Sequence, residues 1–319
     1  MKTCFIFPGQ GSQFVGMGKD LYDKYPEAKY IYDAGDEILG YRLTDFMFKE
    51  SMNKDPENNL NTTIHTQPAI LVNNLAYFSV LKQQFEPNLP IGHSVGNYAS
   101  LVALDMLSFE DALKLVKVRS QLMTRCIPKG PDGEKEKVIP GTAYMAAIIL
   151  DDPSIVDNAC ERFSTLESKV EVANINSPTQ IVISGHNDAV ITAVNYLQEN
   201  GAKICTYLTN VEGPFHSSIM EPASECMENV LEDVDINISE SPYIPNYTAA
   251  PVTDPMSIRS LLALQISGSV RWKQTLEYAI NDGHTRFVES GSKNIHSKIL
   301  KRSYKRKHNL EIIDVSKII

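Results

Sequence analysis

The pentapeptide Gly92-His93-Ser94-Val95-Gly96 constrains this chain more than any other feature. It follows Leu89-Pro90-Ile91, a short and weak strand signal, and it precedes Asn97 to Leu107, which reads as helix. A serine in G-x-S-x-G sits on a sharp strand-to-helix turn that exposes its Oγ, and the flanking glycines leave room for a tight backbone. The start of the following helix offers unpaired N–H groups and a positive dipole end to a developing oxyanion. The plainer reading is a turn serine between strand and helix; the strand-turn-helix context favours a nucleophile.

The rest of the chain has two textures. Cys4-Phe5-Ile6-Phe7 reads as a buried strand ended by Pro8-Gly9. Leu71 to Phe85 carries apolar residues at helical spacing, and Phe109 to Met123 reads as a helix capped by Ser108, with Glu110 and Asp111 in its first turn. Pro128 to Pro140 is rich in Pro, Gly and charge and predicts a loop or boundary. After it come Thr142–Leu150 as strand, Pro153–Phe163 as helix, Val170–Ala173 and Gln180–Ser184 as strands, Ala189–Glu199 as helix and Lys203–Leu208 as strand. That order is βαββαβ, the ferredoxin-like pattern. Helix returns from Met220, with a strand at Arg286–Glu289 and a closing basic helix. The chain of 319 residues therefore divides into a discontinuous large domain, 1–126 and 209–319, and an inserted small domain, 127–208.

Composition removes several classes of function. With 43% hydrophobic and 22% charged residues the chain is not mostly disordered. A net charge of -9 is a poor match for nucleic acid, whose phosphates need a basic surface. No run of about 18 apolar residues predicts a membrane span, and Met1 to Phe7 is too short for a signal peptide. Five scattered cysteines without a C-x-x-C pair read as core thiols in a reducing, cytoplasmic compartment. Seven histidines without H-E-x-x-H give no metal site.

A serine near its normal pKa needs a base. In the order of an α/β-hydrolase the base is a late histidine, so His284 or His296 could serve. The other arrangement uses His216, 122 residues after Ser94, in Gly213-Pro214-Phe215-His216-Ser217-Ser218. Spacing alone leaves all three open.

Seven blocks in order carry a family resemblance: Phe7-Pro8-Gly9-Gln10-Gly11-Ser12-Gln13 with Gly16-Met17-Gly18; Thr66-Gln67-Pro68-Ala69; the Ser94 pentapeptide; Arg119 with Met123; Gly213-Pro214-Phe215-His216-Ser217; Gln265 before Val270-Arg271-Trp272; and Phe287-Val288-Glu289-Ser290-Gly291. In this order the chain resembles malonyl-CoA:acyl-carrier-protein transacylases, a group that includes stand-alone acyltransferases of polyketide synthases. The resemblance runs from Phe5 to about Arg302. It implies an α/β fold, a hydrolase-like parallel-sheet core with a ferredoxin-like small domain inserted. It implies malonyl transfer from malonyl-CoA to the phosphopantetheine thiol of an acyl carrier protein, for fatty-acid or polyketide synthesis. No metal or redox cofactor is implied, and a monomer is.

By this resemblance Ser94 is the nucleophile, His216 the base, and the backbone N–H groups of Gln10 and Val95 form the oxyanion hole. The backbone carbonyl of Gln265 orients the histidine, and Arg119 pairs with the free malonyl carboxylate. Phe215 is the bulky, malonyl-selecting form of its position, because a ring there crowds an α-methyl group. The physical reading of each residue stands beside this. Arg119 falls on a largely apolar helix, where a guanidinium needs a planar anion; an internal ion pair with Asp or Glu is its structural alternative. His93 is a spacer packed beneath the turn.

Some positions depart from the family pattern. Asn97 replaces the usual glutamate, which removes a negative charge near the site. Gly291-Ser292-Lys293 replaces the usual Gly-Pro-Gly. Lys293, Lys298, Lys301, Arg302, Lys305, Arg306 and Lys307 concentrate positive charge that could dock an acidic carrier protein or a CoA phosphate; a solvated helix face explains them equally. The rival functions are an acyl hydrolase that clears carrier proteins, a true α/β-hydrolase, an acyltransferase with another acyl-CoA preference, and a non-catalytic scaffold.

Overall fold

The run Cys4–Phe7 lies in strand β1 (Lys2–Phe7), which is buried from Thr3 onward. β1 is flanked by β2 (Leu89–Gly92) and β7 (His284–Glu289), and β8 (Glu311–Ile313) extends the sheet, giving the order β2-β1-β7-β8 with every pair parallel. A parallel sheet is covered on both faces, which explains an apolar run with no polar alternation. Phe5 and Phe7 point to one face and pack edge-on against Phe78 at 5.2 and 5.5 Å. Cys4 and Ile6 point to the other, in a cluster with Trp272 and Leu276. The computed structural model describes residues 1–129, 133 and 138–319.

The second sheet is antiparallel: β3 (Met145–Ile149), β4 (Val170–Ser177), β5 (Gln180–Gly185) and β6 (Ile204–Tyr207), in the order β4-β5-β3-β6. Helices Ser154–Phe163 and Asn187–Glu199 connect them, which completes the βαββαβ order. Strand alternation divides the side chains. Ile148, Ile181 and Ile183 pack with Val156 and Val190 of the two helices. Met145, Ala173 and Val182 face the other way and join the core of the parallel-sheet region. The main chain links the two sheets as well, since Ile175 N–H donates to Val270 O (2.9 Å) and Val270 N–H to Ala173 O (2.8 Å).

Several elements differ from their sequence expectation. The helix expected from Leu71 to Phe85 spans Thr63–Leu81 and carries Pro68 inside it. Its first turns hold Thr63, Thr66 and Gln67, polar residues without an apolar stripe, and are buried by the surrounding structure. β4 continues four residues past Ala173, because pairing with β5 and the bridge to Val270 satisfy the backbone of a polar segment. The helix expected over Asn97–Leu107 spans Gly96–Ala103. Ser108 caps its helix by accepting from Asp111 N–H, as expected. Helix Pro26–Leu39 and strand β8 have no counterpart in the sequence reading. Much of the loop expected at Pro128–Pro140 lies outside the described residues. No helix among the described residues is long and apolar enough to cross a membrane.

Candidate active site

Ser94 sits between β2 and helix Gly96–Ala103 with φ at 52°, in the left-handed region that side chains disfavour. The flanking glycines make this turn possible. A Cβ on Gly92 would run into the backbone of Gly96 and Asn97, and a Cβ on Gly96 into the carbonyl of Phe7. His93 N–H donates to Phe7 O (2.9 Å), so the turn is stitched to the end of β1.

The structure brings Ser94 and His216 together: Ser94 Oγ and His216 Nε2 are 2.8 Å apart. His216 Nδ1 lies 2.8 Å from the main-chain O of Gln265. A carbonyl only accepts, so Nδ1 carries the proton and Nε2 is left free to accept from the serine. His216 also has a left-handed φ, 59°. Its loop is gripped from β4, where Glu171 accepts from Ser218 N–H (2.6 Å) and Ser218 Oγ (2.7 Å). Burial, and then the Arg119 charge, lower the His216 pKa from 6.5 to about 3. The ring is therefore a neutral base at ordinary pH.

The other candidate histidines stand apart. His284 lies at the opposite end of β7 and bonds Ala279 O (3.2 Å). His296 packs against Trp272 and His93, with ring centroids at 4.7 and 5.1 Å. His93 lies beneath the turn, where its Nε2 meets Asn176 Oδ1 of β4 at 3.1 Å.

Arg119 is fully buried on helix Phe109–Arg125. Its Nη1 donates to Gln67 Oε1 (2.6 Å), and its Nη2 to Ser94 Oγ (3.3 Å) and Gln265 Oε1 (3.4 Å). No carboxylate among the described residues pairs with it, which removes the internal ion pair considered for it. A buried cation held only by neutral groups keeps much of its desolvation cost uncompensated.

A cavity of about 60 Å³ opens beside these groups, lined by Gln10, Ser94, Phe215 and His216 from the parallel-sheet region and by Met145 and Asn174 from the small sheet. His216 also lines a second, more open groove of about 520 Å³ that includes Glu171, Tyr247 and Arg271. The N–H groups of Gln10 and Val95 are taken up by no hydrogen bond among the described residues. Val95 precedes the helix Gly96–Ala103, whose first N–H groups lack partners within the helix.

Two residues of this constellation carried no assigned role in the sequence. Gln67 lay within a recognised block, so a signal existed. Asn246, whose Oδ1 accepts from Ser94 N–H (2.7 Å), lay in no recognised block. One surface expectation also changes. Lys293 donates to the carbonyls of Gln13 (2.7 Å) and Gly11 (3.4 Å), so it braces the Gln10 loop and is no free part of the basic patch. Lys298, Lys301, Arg302, Lys305, Arg306 and Lys307 are exposed. Asn97 is fully buried in the first turn of its helix, away from the surface.

Comparison with known proteins identifies the family. The family model for the acyl transferase domain matches residues 4–316. The malonyl CoA-acyl carrier protein transacylase of Bacillus subtilis (strain 168) is 36% identical over 314 residues, 98% of this chain and 94% of its own. The crystal structure of the acyl-carrier-protein-S-malonyltransferase from Bartonella henselae superposes with a TM-score of 0.84 at 33% identity, covering 98% of this chain and 94% of that one. The malonyl-transacylase PlMCAT, solved in complex with the type II PKS acyl-carrier protein AntF, superposes with a TM-score of 0.87 at 30% identity, covering 98% and 95%. With a matching fold, a matching length and a serine–histidine pair at a strand-to-helix turn, the chain belongs to the malonyl-CoA:acyl-carrier-protein transacylase family of acyltransferases.

Proposed function

We propose that this chain transfers a malonyl group from malonyl-CoA to the phosphopantetheine thiol of an acyl carrier protein, in two half-reactions through a malonyl-serine ester. The observation that carries the reading is Arg119, a buried guanidinium with no carboxylate partner among the described residues, 3.3 Å from Ser94 Oγ. It fits a substrate that brings its own carboxylate. In the first half, Ser94 Oγ attacks the thioester carbonyl carbon while His216 Nε2 takes the hydroxyl proton. Negative charge on the carbonyl oxygen faces the N–H groups of Gln10 and Val95. The C–S bond then breaks, and the departing CoA sulfur receives the proton from His216. In the second half the carrier thiol gives its proton to His216 and attacks the ester carbon. The C–O bond breaks, and Ser94 Oγ regains the proton. Phe215 in the cavity wall favours malonyl over an α-branched unit by crowding the α-carbon.

The division into 1–126 with 209–319 and an inserted 127–208 belongs to this reading. It sets Ser94 and Arg119 before the insertion and His216 after it, so that they converge on one cleft. Five unpaired cysteines support a reducing, cytoplasmic setting.

Incubation with malonyl-CoA followed by peptide mass spectrometry tests the reaction. A malonyl adduct is expected on the Ser94 peptide, absent in Ser94→Ala, and discharged by a holo carrier protein much faster than by water. An adduct elsewhere, no adduct, or equally fast loss to water would refute the transferase and favour a hydrolase or a scaffold.

The depressed His216 pKa gives a second expectation. A base that titrates well below 6.5 stays neutral as pH falls through that value. The rate of Ser94 acylation should therefore change by less than about twofold between pH 7.5 and 5.5. A stopped-flow pH profile with a midpoint near 6.5 would contradict it.

A further inference from the structure

We propose that Asn246 is a positioning residue for acyl transfer: its side-chain amide clamps the backbone leading into Ser94, at Gly92 O and Ser94 N–H on either side of His93, and holds the nucleophile in its left-handed conformation. Asn246 is fully buried. Its Oδ1 accepts from Ser94 N–H (2.7 Å), and its Nδ2 donates to Gly92 O (2.8 Å). A backbone N–H only donates and a carbonyl only accepts, so the two contacts together define the amide orientation. The segment holding Asn246 is itself anchored, since Asn246 O accepts from Arg271 N–H (2.9 Å).

Two consequences follow for the chemistry. With Ser94 N–H held by Asn246, the oxyanion donor next to the nucleophile has to be the N–H of Val95. The clamp also reaches the base. Gln265 Nε2 donates to Asn246 Oδ1 and to Ser94 O, both at 3.3 Å, while the carbonyl of Gln265 holds His216. One buried amide thus ties the serine backbone to the residue that orients its base. The role rests on Ser94 being the nucleophile.

Two variants test it, with single-turnover formation of malonyl-enzyme as the readout and the wild type run alongside. Asn246→Ala should slow acylation by about 10²-fold, the size of effect that an ångström-scale misplacement produces. Its Kd for malonyl-CoA should change by less than about threefold, since Asn246 does not line the cavity. Asn246→Asp separates positioning from simple packing. Its neutral carboxyl can accept from Ser94 N–H and donate to Gly92 O as the amide does, but its ionised form has no donor. Burial raises a carboxyl pKa. The activity of Asn246→Asp should therefore rise at least about fivefold from pH 7.5 to 5.5, against a flat wild type. If Asn246→Ala does not fold, Asn246→Asp alone decides. A folded Asn246→Ala acylating within threefold of wild type, or an Asn246→Asp profile parallel to wild type, would overturn the clamp. Wild-type enzyme that forms no Ser94 adduct would instead defeat the nucleophile reading.

Discussion

Replacing His216 by alanine should slow formation of the malonyl-serine ester by roughly 10³-fold or more, the scale associated with loss of a general base acting together with its nucleophile. The expectation rests on geometry. Among the described residues Ser94 Oγ has two side-chain partners: His216 Nε2 at 2.8 Å and Arg119 Nη2 at 3.3 Å. Arg119 is a donor only, so no group but His216 can accept the serine proton there. Both half-reactions should suffer alike, because the same Nε2 moves the proton each time. The variant also leaves Gln265 O without its buried partner, at a cost to stability of about 1–3 kcal/mol. Melting curves should accompany the kinetics, so that a loss of rate is measured on folded protein. If His284 or His296 were the base, His216→Ala would retain acylation close to the wild-type rate.

Arg119→Met should abolish the preference for malonyl-CoA over acetyl-CoA. A buried charge pair loses about 2–5 kcal/mol when one partner is truncated, so kcat/KM for malonyl-CoA should fall by at least about 30-fold. Acetyl-CoA brings no carboxylate and should lose far less. Lysine should not restore the preference, because Gln67 and Gln265 hold a flat fork of donors that an ammonium lacks. Stability should change little. Among the described residues Arg119 has only neutral partners, so removing it relieves an uncompensated buried charge; it also leaves the buried Oε1 of Gln67 without its donor, and the two opposing effects should keep Tm close to wild type. A variant that loses Tm and treats both thioesters alike would show that Arg119 serves the fold and not the substrate. Competition assays with the two CoA esters, run with thermal denaturation, separate these outcomes.

Local features of this chain were legible in its sequence. The elbow at Ser94 could be read because its requirement is local: two glycines admit a tight turn, and the third residue of the five is placed by it. The Ser108 cap and the βαββαβ order are likewise short-range patterns of periodicity and polarity. Where tertiary packing overrides local preference, the reading was less accurate. The polar first turns of helix Thr63–Leu81 are helical because they are buried, and Asn174–Ser177 are strand because β5 and Val270 supply partners.

The site divides along the same line. The sequence by itself determined that a serine would stand at a sharp turn between strand and helix, and family resemblance ordered the remaining blocks. Residue spacing left three histidines open and the resemblance picked His216; the tertiary structure brings that histidine to the serine, because His216, His284 and His296 differ in three-dimensional position and not in chemistry. It also showed that Arg119 has no carboxylate partner among the described residues, that Lys293 braces the Gln10 loop, and that Asn246 bonds the Ser94 backbone. Each of these facts is a contact between residues far apart in the chain, and hydrogen bonds and ion pairs act over a few ångströms of space, whatever the number of residues between the partners.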